Sequence, residues 1–195
     1  SAADLTRAVA AAGPATPAAA APASEAPAPG EAVELAPAAT LHATLWRRAE
    51  RHPQRPQVFL REDDGRELTV TYGLLLEEAR RVAGGLREQG VRRGDRVALM
   101  LPTSLDFLRS FQGVLLAGAV PVPIYPPVRL DRIEEYALRQ SAILANAGVV
   151  ALITVGRARP VDALLQPAVR SLRSVVTAEE LAALGAPWSA PEGQA

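Results

Sequence analysis

The chain has 195 residues, with 21 basic and 21 acidic side chains, two histidines and no cysteine. This length suits one domain or slightly more, and zero net charge argues against a nucleic-acid-binding surface, which needs a basic excess. The absence of cysteine excludes a disulfide scaffold, a thiolate metal site and a cysteine nucleophile. All 21 basic residues are arginine, so the chain contains no lysine for a phosphate-binding loop.

The first 39 residues differ in composition from the rest. Residues 1–13 predict a short helix, because Ser1 can cap it and Gly13 can close it, and we expect this helix to be the last piece of an upstream domain. Residues 14–39 are mostly alanine and proline, which predicts an extended linker, since proline removes N–H donors. A disordered tail without a partner fits this composition equally well. No apolar run suits a signal peptide or a membrane span, so we expect a cytoplasmic chain.

Residues 40–195 alternate between strand and helix patterns, which predicts an α/β fold with a mostly parallel sheet and helices on its faces. The apolar periodicity predicts helices at residues 41–51, 74–88, 104–118, 131–147, 157–173 and 178–184. It also predicts a hairpin at residues 57–72 and extended segments at 96–101, 120–125, 149–154 and 174–177. The chain then becomes loop-like at Trp188, so the sheet is expected to be unfinished.

No nucleotide-binding or hydrolase motif occurs, and we assign neither a catalytic nor a metal-binding residue. Gly84 and Gly85 lie within a predicted helix, where small residues favour close packing over phosphate binding. His42 and His52 are ten residues apart, which misses the spacing of a helical metal pair. The acidic and basic side chains of residues 77–81 predict a solvated ion-pair face.

Residues 120–129 contain four prolines within seven positions and cannot form a central strand, because each proline removes a ladder hydrogen bond. The segment predicts a stiff sheet edge that holds Tyr125 and Arg129 in place. Arg129 could bind an anion, and Tyr125 could line an acyl or adenine pocket. A rigid crossover at the sheet edge, with no ligand contact, is the favoured alternative.

Four segments in this order resemble core motifs of adenylate-forming enzymes. Residues 68–75 resemble the family's L-T-Y-x-E-L motif, residues 94–102 its G-D-R-V-A-L-x-L-P strand, and residues 114–123 its L-K-A-G-A-x-x-V-P motif. The continuation at residues 125–127 and 139–147 is closest to fatty-acyl-AMP ligases, and looks most like those fused to acyl carrier and glycerophospholipid acyltransferase domains. The motif positions, to which we assign structural roles, are Leu68, Thr69, Tyr72, Gly94, Asp95, Gly118, Pro121, Pro123, Pro126 and Pro127.

The resemblance implies that residues 40–195 are the first part of the large N-terminal domain of such a ligase. The helix at residues 1–13 would then end an upstream, carrier-like domain, and residues 14–39 would be its tether. A complete enzyme of this kind uses ATP and Mg²⁺ to convert a fatty acid to acyl-AMP, and passes the acyl group to the phosphopantetheine thiol of an acyl carrier protein, or to CoA. The family's phosphate loop would follow Trp188, so we expect this chain alone to be inactive and to bind no cofactor tightly. An acyl-CoA synthetase fragment and a non-catalytic α/β binding module are the alternatives.

Overall fold

A computed structural model describes residues 40–61, 65–127, 133–184 and 188–189. The predicted helix at residues 1–13 and the linker at 14–39 lie outside the described residues. The helices are α1 (Leu41–Arg51), α2 (Tyr72–Glu88), α3 (Leu105–Leu116), α4 (Ile133–Ala147), α5 (Arg159–Ala168) and α6 (Ala178–Leu184). The strands are β1 (Pro56–Arg61), β2 (Glu67–Thr71), β3 (Arg96–Leu99), β4 (Val120–Pro123), β5 (Val149–Thr154) and β6 (Ser174–Thr177).

Strands β3 to β6 form one parallel sheet in the order β4-β3-β5-β6. The predicted α/β fold with a parallel sheet and flanking helices is therefore confirmed. Side chains of β3 and of the residue after it alternate between the two faces. Val97 and Leu99 enter one hydrophobic cluster, whereas Ala98 and the following Met100 enter the other. Burial on both faces explains the continuous apolar sequence of this strand.

Helices cover both faces of the sheet. One cluster joins the sheet to α2, α3 and α6, for example through Leu86, Val114 and Leu181. The opposite cluster joins it to α4 and α5, for example through Leu144 and Leu165. The predicted helix at 157–173 is wrong in extent, because α5 ends at Ala168 and Val169 has extended backbone angles.

The hairpin of β1 and β2 forms a separate antiparallel sheet, which packs on α1 and α2 through Leu45, Val70 and Leu75. The predicted start of α2 at residue 74 is wrong by two residues. Thr71 caps the helix, because its Oγ1 accepts a hydrogen bond from the backbone N–H of Leu74, 3.2 Å away.

Glycines allow α2 to approach its neighbours closely. A Cβ atom on Gly85 would lie 2.1 Å from the carbonyl oxygen of Leu181 in α6. A Cβ atom on Gly113 of α3 would lie 2.7 Å from Cγ1 of Val82. The packing role predicted for Gly85 is therefore confirmed.

The predicted solvated ion-pair face at residues 77–81 is wrong for Glu78. Its carboxylate accepts a hydrogen bond of 2.7 Å from Nη1 of Arg109 in α3, and their side chains are only 15% and 11% exposed. Asp106 pairs with the other terminal nitrogen of Arg109, also at 2.7 Å. The pair is shielded from water because α2 and α3 pack face to face at Gly113.

Strand β4 lies at one edge of the sheet, as the prolines predict. The backbone N–H groups of Val120 and Ile124 donate to the carbonyl oxygens of Asp95 and Leu99, at 2.8 and 3.0 Å. Pro121 and Pro123 occupy the alternate positions, whose N–H groups would face away from β3. Proline is tolerated here because it removes donors only from the outer side of the edge.

Candidate functional site

The order of the strands marks one end of the sheet as the expected place for ligands. The chain runs from β3 to β4 on one side, and then crosses to β5 and β6 on the other side. Helix α3 covers one face, whereas α4 and α5 cover the opposite face. In open parallel sheets, ligands bind outside the carboxyl ends of the strands where the crossovers diverge in this way.

Two grooves lie at the carboxyl end of the sheet. Both are bounded by residues 123–126, a stretch that we call the ridge, which leaves the end of β4. The α4 groove, of about 590 Å³, runs between the ridge and helix α4. The α3 groove, of about 530 Å³, is completed by Leu101, Pro102, Thr103 and Phe107.

The side chain of Tyr125 stands on the ridge and is 86% exposed, the highest value among the exposed large hydrophobic side chains in the described ranges. Pro126 lines both grooves and Pro127 lines the α4 groove. Tyr125 therefore stands at an edge of the sheet, and its contact with a ligand stays a prediction. Arg129, the predicted anion ligand, lies outside the described residues.

The α4 groove combines apolar walls with a few polar groups, as ligand pockets commonly do. The polar groups come from Glu135, Tyr136, Arg139 and Gln140. Gln140 is buried, and its Oε1 has no hydrogen-bond partner among the described residues. Ile143 extends the apolar wall toward the solvent.

Tyr136 joins the ridge to the helix and to the sheet. Its hydroxyl donates a hydrogen bond to the carbonyl oxygen of Tyr125 and lies 3.2 Å from Sδ of Met100. Burial, with a smaller contribution from the charge of Asp162, raises the pKa of Tyr136 to about 12. The hydroxyl therefore stays protonated and remains a donor at neutral pH.

The sequence analysis did not single out Tyr136, although one signal pointed to it. An aromatic residue with a polar tip follows Tyr125 by eleven positions, within a predicted amphipathic helix. A buried tyrosine hydroxyl usually finds a hydrogen-bond partner. The partner is a backbone carbonyl, however, and the sequence pattern carries no information about which one.

Other motif residues lie at the amino end of the sheet. The backbone N–H of Gly94 donates to the carbonyl oxygen of Gly118 at 2.9 Å, and both glycines have positive φ angles. The carboxylate of Asp95 accepts from the backbone N–H of Arg92 at 2.9 Å and pairs with Arg173 at 3.2 Å. These residues hold turns together and face neither groove.

The remaining motif residues lie in the hairpin, at the start of α2 and in β4. Leu68 and Thr69 lie in β2, opposite Leu60 and Phe59 of β1. Tyr72 begins α2, and its ring lies 5.6 Å from the guanidinium carbon of Arg48. Pro121 and Pro123 belong to β4 itself, and only Pro123 reaches the grooves.

Within the described ranges, no three His, Asp or Glu side chains cluster as a metal site requires. None of the described helices has the length and apolar character of a membrane span.

Three known proteins show what the chain is similar to. Pyochelin synthetase PchE from Pseudomonas aeruginosa is 43% identical over 105 residues, which are 52% of this chain and 7% of that protein. The fatty acyl-adenylate ligase from L. pneumophila, solved with acyl adenylate and pyrophosphate, is 25% identical with a TM-score of 0.59; the match covers 74% of this chain and 25% of that chain. The Mycobacterium tuberculosis fatty acyl CoA synthetase is 30% identical with a TM-score of 0.61, over 76% of this chain and 29% of that chain.

The chain therefore spans between a quarter and a third of the length of the two solved enzymes, and only 7% of the length of pyochelin synthetase PchE. The family model described as "AMP-binding enzyme" matches residues 45–193, which include the hairpin, the parallel sheet and both grooves. Because this match covers most of the sequence and the fold agrees with it, the chain belongs to the AMP-binding enzymes, the adenylate-forming ligase family.

Proposed function

We propose that this chain is part of a ligase that uses ATP and Mg²⁺ to activate a fatty acid as acyl-AMP in the cytoplasm. The acyl group would then pass to the phosphopantetheine thiol of an acyl carrier protein. The observation that carries this proposal is the pair of largely apolar grooves at the carboxyl end of a sheet in the adenylate-forming family. Apolar walls suit an alkyl chain, which gains stability from every CH₂ group it buries.

The role that we assign to this chain is to form one wall of the substrate crevice. Tyr125 would contact the apolar part of the acid, because a ring on a proline-rich segment loses little conformational entropy on binding. Arg129, which lies outside the described residues, would attract an anionic group. Pro123 and Pro126 would limit how far the wall can move.

We assign the phosphate chemistry mainly to residues other than those described. The transfer of an adenylyl group requires preorganised cationic and backbone N–H donors around the phosphates. The chain contains no lysine, and the described residues contain no acidic cluster for Mg²⁺. We therefore assign the chain a part in binding and shaping, and no step at phosphorus.

An acyl-CoA synthetase is the second candidate, and a specific observation favours it. The Mycobacterium tuberculosis fatty acyl CoA synthetase is more similar in sequence to this chain than is the L. pneumophila fatty acyl-adenylate ligase, at 30% against 25% identity. Both candidates share the first reaction, the formation of acyl-AMP. They differ in the acceptor thiol, which is CoA in one case and a carrier arm in the other.

The test is an acid-dependent pyrophosphate-release assay on the complete polypeptide that contains this chain. Fatty acids of several lengths are compared with amino acids and aryl acids, and acyl transfer is then measured with CoA and with a phosphopantetheinylated carrier. We expect activity with fatty acids and transfer to the carrier. Transfer to CoA alone would support the second candidate, and activity only with amino or aryl acids would contradict both.

A further inference from the structure

Hydrogen bonds attach the ridge to strand β3 and to helix α4. At its root, the backbone N–H of Ile124 donates to the carbonyl oxygen of Leu99 at 3.0 Å. One residue further on, the Tyr125 side chain is 86% exposed and gains little from packing. The hydroxyl of Tyr136 donates a hydrogen bond to the carbonyl oxygen of Tyr125 and so ties this backbone to helix α4.

This hydroxyl lies where three elements meet. Tyr136 belongs to α4, Tyr125 to the ridge after β4, and Met100 to the segment that leaves β3. Tyr136 is half-buried, and its ring packs against the cluster that contains Met100 and Leu144. The donor is therefore itself fixed by packing, so it can hold the ridge in one position.

Movement of the ridge would change both grooves at once. Pro123, Ile124, Tyr125 and Pro126 line the α4 groove and the α3 groove alike. A shift toward α4 narrows one groove and widens the other. The bond from Tyr136 therefore sets how the space at the carboxyl end of the sheet is divided.

We infer that Tyr136 is a positioning residue, whose hydroxyl fixes the Tyr125 ridge and so sets the width of the grooves for the acid substrate. The part that concerns the substrate rests on the proposed function. Tyr136 acts through the backbone of Tyr125 and needs no contact with the acid. Phenylalanine at this position keeps the ring and removes only the bond to the ridge.

The first experiment measures the ridge itself. The chain contains three tyrosines, so labelling with tyrosine that carries ¹³C at the carbonyl gives three NMR signals, which are assigned by substitution. In Tyr136→Phe we expect the Tyr125 carbonyl signal to move and broaden, because the carbonyl loses its donor. Tyr72→Phe is the matched control, since Tyr72 lines neither groove, and should leave the Tyr125 signal in place.

The Tyr72 signal reports whether the Tyr136→Phe variant keeps its fold. If that signal is unchanged and the Tyr125 signal has moved, the effect is local to the ridge and the inference is supported. If the Tyr125 signal coincides in the two variants, Tyr136 does not fix the ridge and the inference is overturned.

The second experiment measures the consequence for the substrate in the complete polypeptide. One neutral hydrogen bond corresponds to about a 2- to 10-fold change in an equilibrium constant. We therefore expect Tyr136→Phe to raise KM for the fatty acid by about 2- to 10-fold while kcat changes by less than about twofold. An unchanged KM beside a moved Tyr125 signal would overturn the substrate part of the inference.

The two experiments fail in distinguishable ways. If the wild-type polypeptide forms no acyl-AMP from any fatty acid, the proposed function fails. The carbonyl measurement does not depend on that activity and still decides whether the hydroxyl of Tyr136 holds the ridge.

Discussion

The two ends of the parallel sheet differ in what their polar groups do. At the amino end, Gly94 bonds to Gly118, Asp95 bonds to Arg92, and Nε of Arg96 donates to the carbonyl oxygen of Ala147 at 2.7 Å. At the carboxyl end, two grooves are open and Tyr125 is exposed. Family motifs lie at both ends, so membership of a motif does not by itself indicate contact with a ligand.

This difference follows from how the elements connect. Short turns enter the strands at the amino end, and their backbone groups must be satisfied locally. At the carboxyl end the crossovers diverge, which leaves space between them. Substitutions at the amino end should therefore change stability, whereas substitutions on the ridge should change binding.

The largest effect is expected for Gly118→Ala at the amino end. The φ angle of Gly118 is +75°, and an added Cβ would lie 3.2 Å from Cγ of Arg93. An L-residue in this conformation is strained, so the free energy of unfolding should fall by about 1–2 kcal/mol. Urea unfolding followed by circular dichroism measures it.

Gly156→Ala is the matched control at the carboxyl end. An added Cβ there meets no atom within 4 Å, and the backbone does not have a strained φ. Such a substitution should be neutral or stabilise the chain by up to about 1 kcal/mol. Equal losses of stability in the two variants would contradict the contrast between the ends.

A smaller loss is expected for Asp95→Ala, which removes the acceptor for the backbone N–H of Arg92 and the partner of Arg173. We expect the free energy of unfolding to fall by about 1 kcal/mol, as for one ordinary hydrogen bond. Arg173→Ala should cost less than about 0.5 kcal/mol, because the Arg173 side chain is 57% exposed and solvent screens the pair. If Arg173→Ala cost as much as Asp95→Ala, the ion pair rather than the turn bond would carry the effect.

The sequence could predict the amino end well because its determinants are local. Helices α2 and α3 end there two residues before Gly90 and Gly118, and the proline pattern identifies β4 as an edge strand. Helix α5 ends at Ala168 without such a signal, and its predicted end lies five residues too late. Residue Thr71 shows the limit of such predictions. A threonine can end a strand or cap a helix, and the pattern alone placed the start of α2 two residues late.

The sequence could not predict contacts between elements that are far apart in the chain. The pairing of Glu78 with Arg109 depends on the approach of α2 to α3 at Gly113. The segment after α6 returns to α2, where the backbone N–H of Trp188 donates to the carbonyl oxygen of Arg80 at 2.9 Å. The bond from Tyr136 to the ridge is of the same kind, since three-dimensional packing decides which carbonyl a hydroxyl meets.

A third effect concerns Tyr136, at the carboxyl end of the sheet, and the stability of the chain at alkaline pH. The pKa of Tyr136 is raised from 10.0 to about 12 in the folded chain. Between these values the unfolded chain has released a proton that the folded chain retains, so this contribution to stability is complete below pH 10 and is lost as the pH rises toward 12.

Tyr136→Phe should remove this contribution. Urea unfolding of wild type and variant, measured from about pH 9 to about pH 11.5, should show a steeper decline for the wild type. If the two curves were parallel, the pKa of Tyr136 would be the same in the folded chain as in the unfolded chain.

The smallest effect on stability, and the sharpest test of the contrast, is expected for Tyr125→Ala. The side chain is 86% exposed, so its removal should change the free energy of unfolding by less than about 0.5 kcal/mol. The same change should raise KM for a fatty acid in the complete ligase, because the ring would no longer contact the alkyl chain.

Leu138→Ala is the matched control. Leu138 is 75% exposed on α4 but lines neither groove, so this substitution should change neither the free energy of unfolding nor KM. Residues of a binding surface contribute little to folding and much to binding, and we expect Tyr125 to behave in this way. If the variant instead lost stability without a change in KM, Tyr125 would be part of the scaffold, like Gly118 and Asp95.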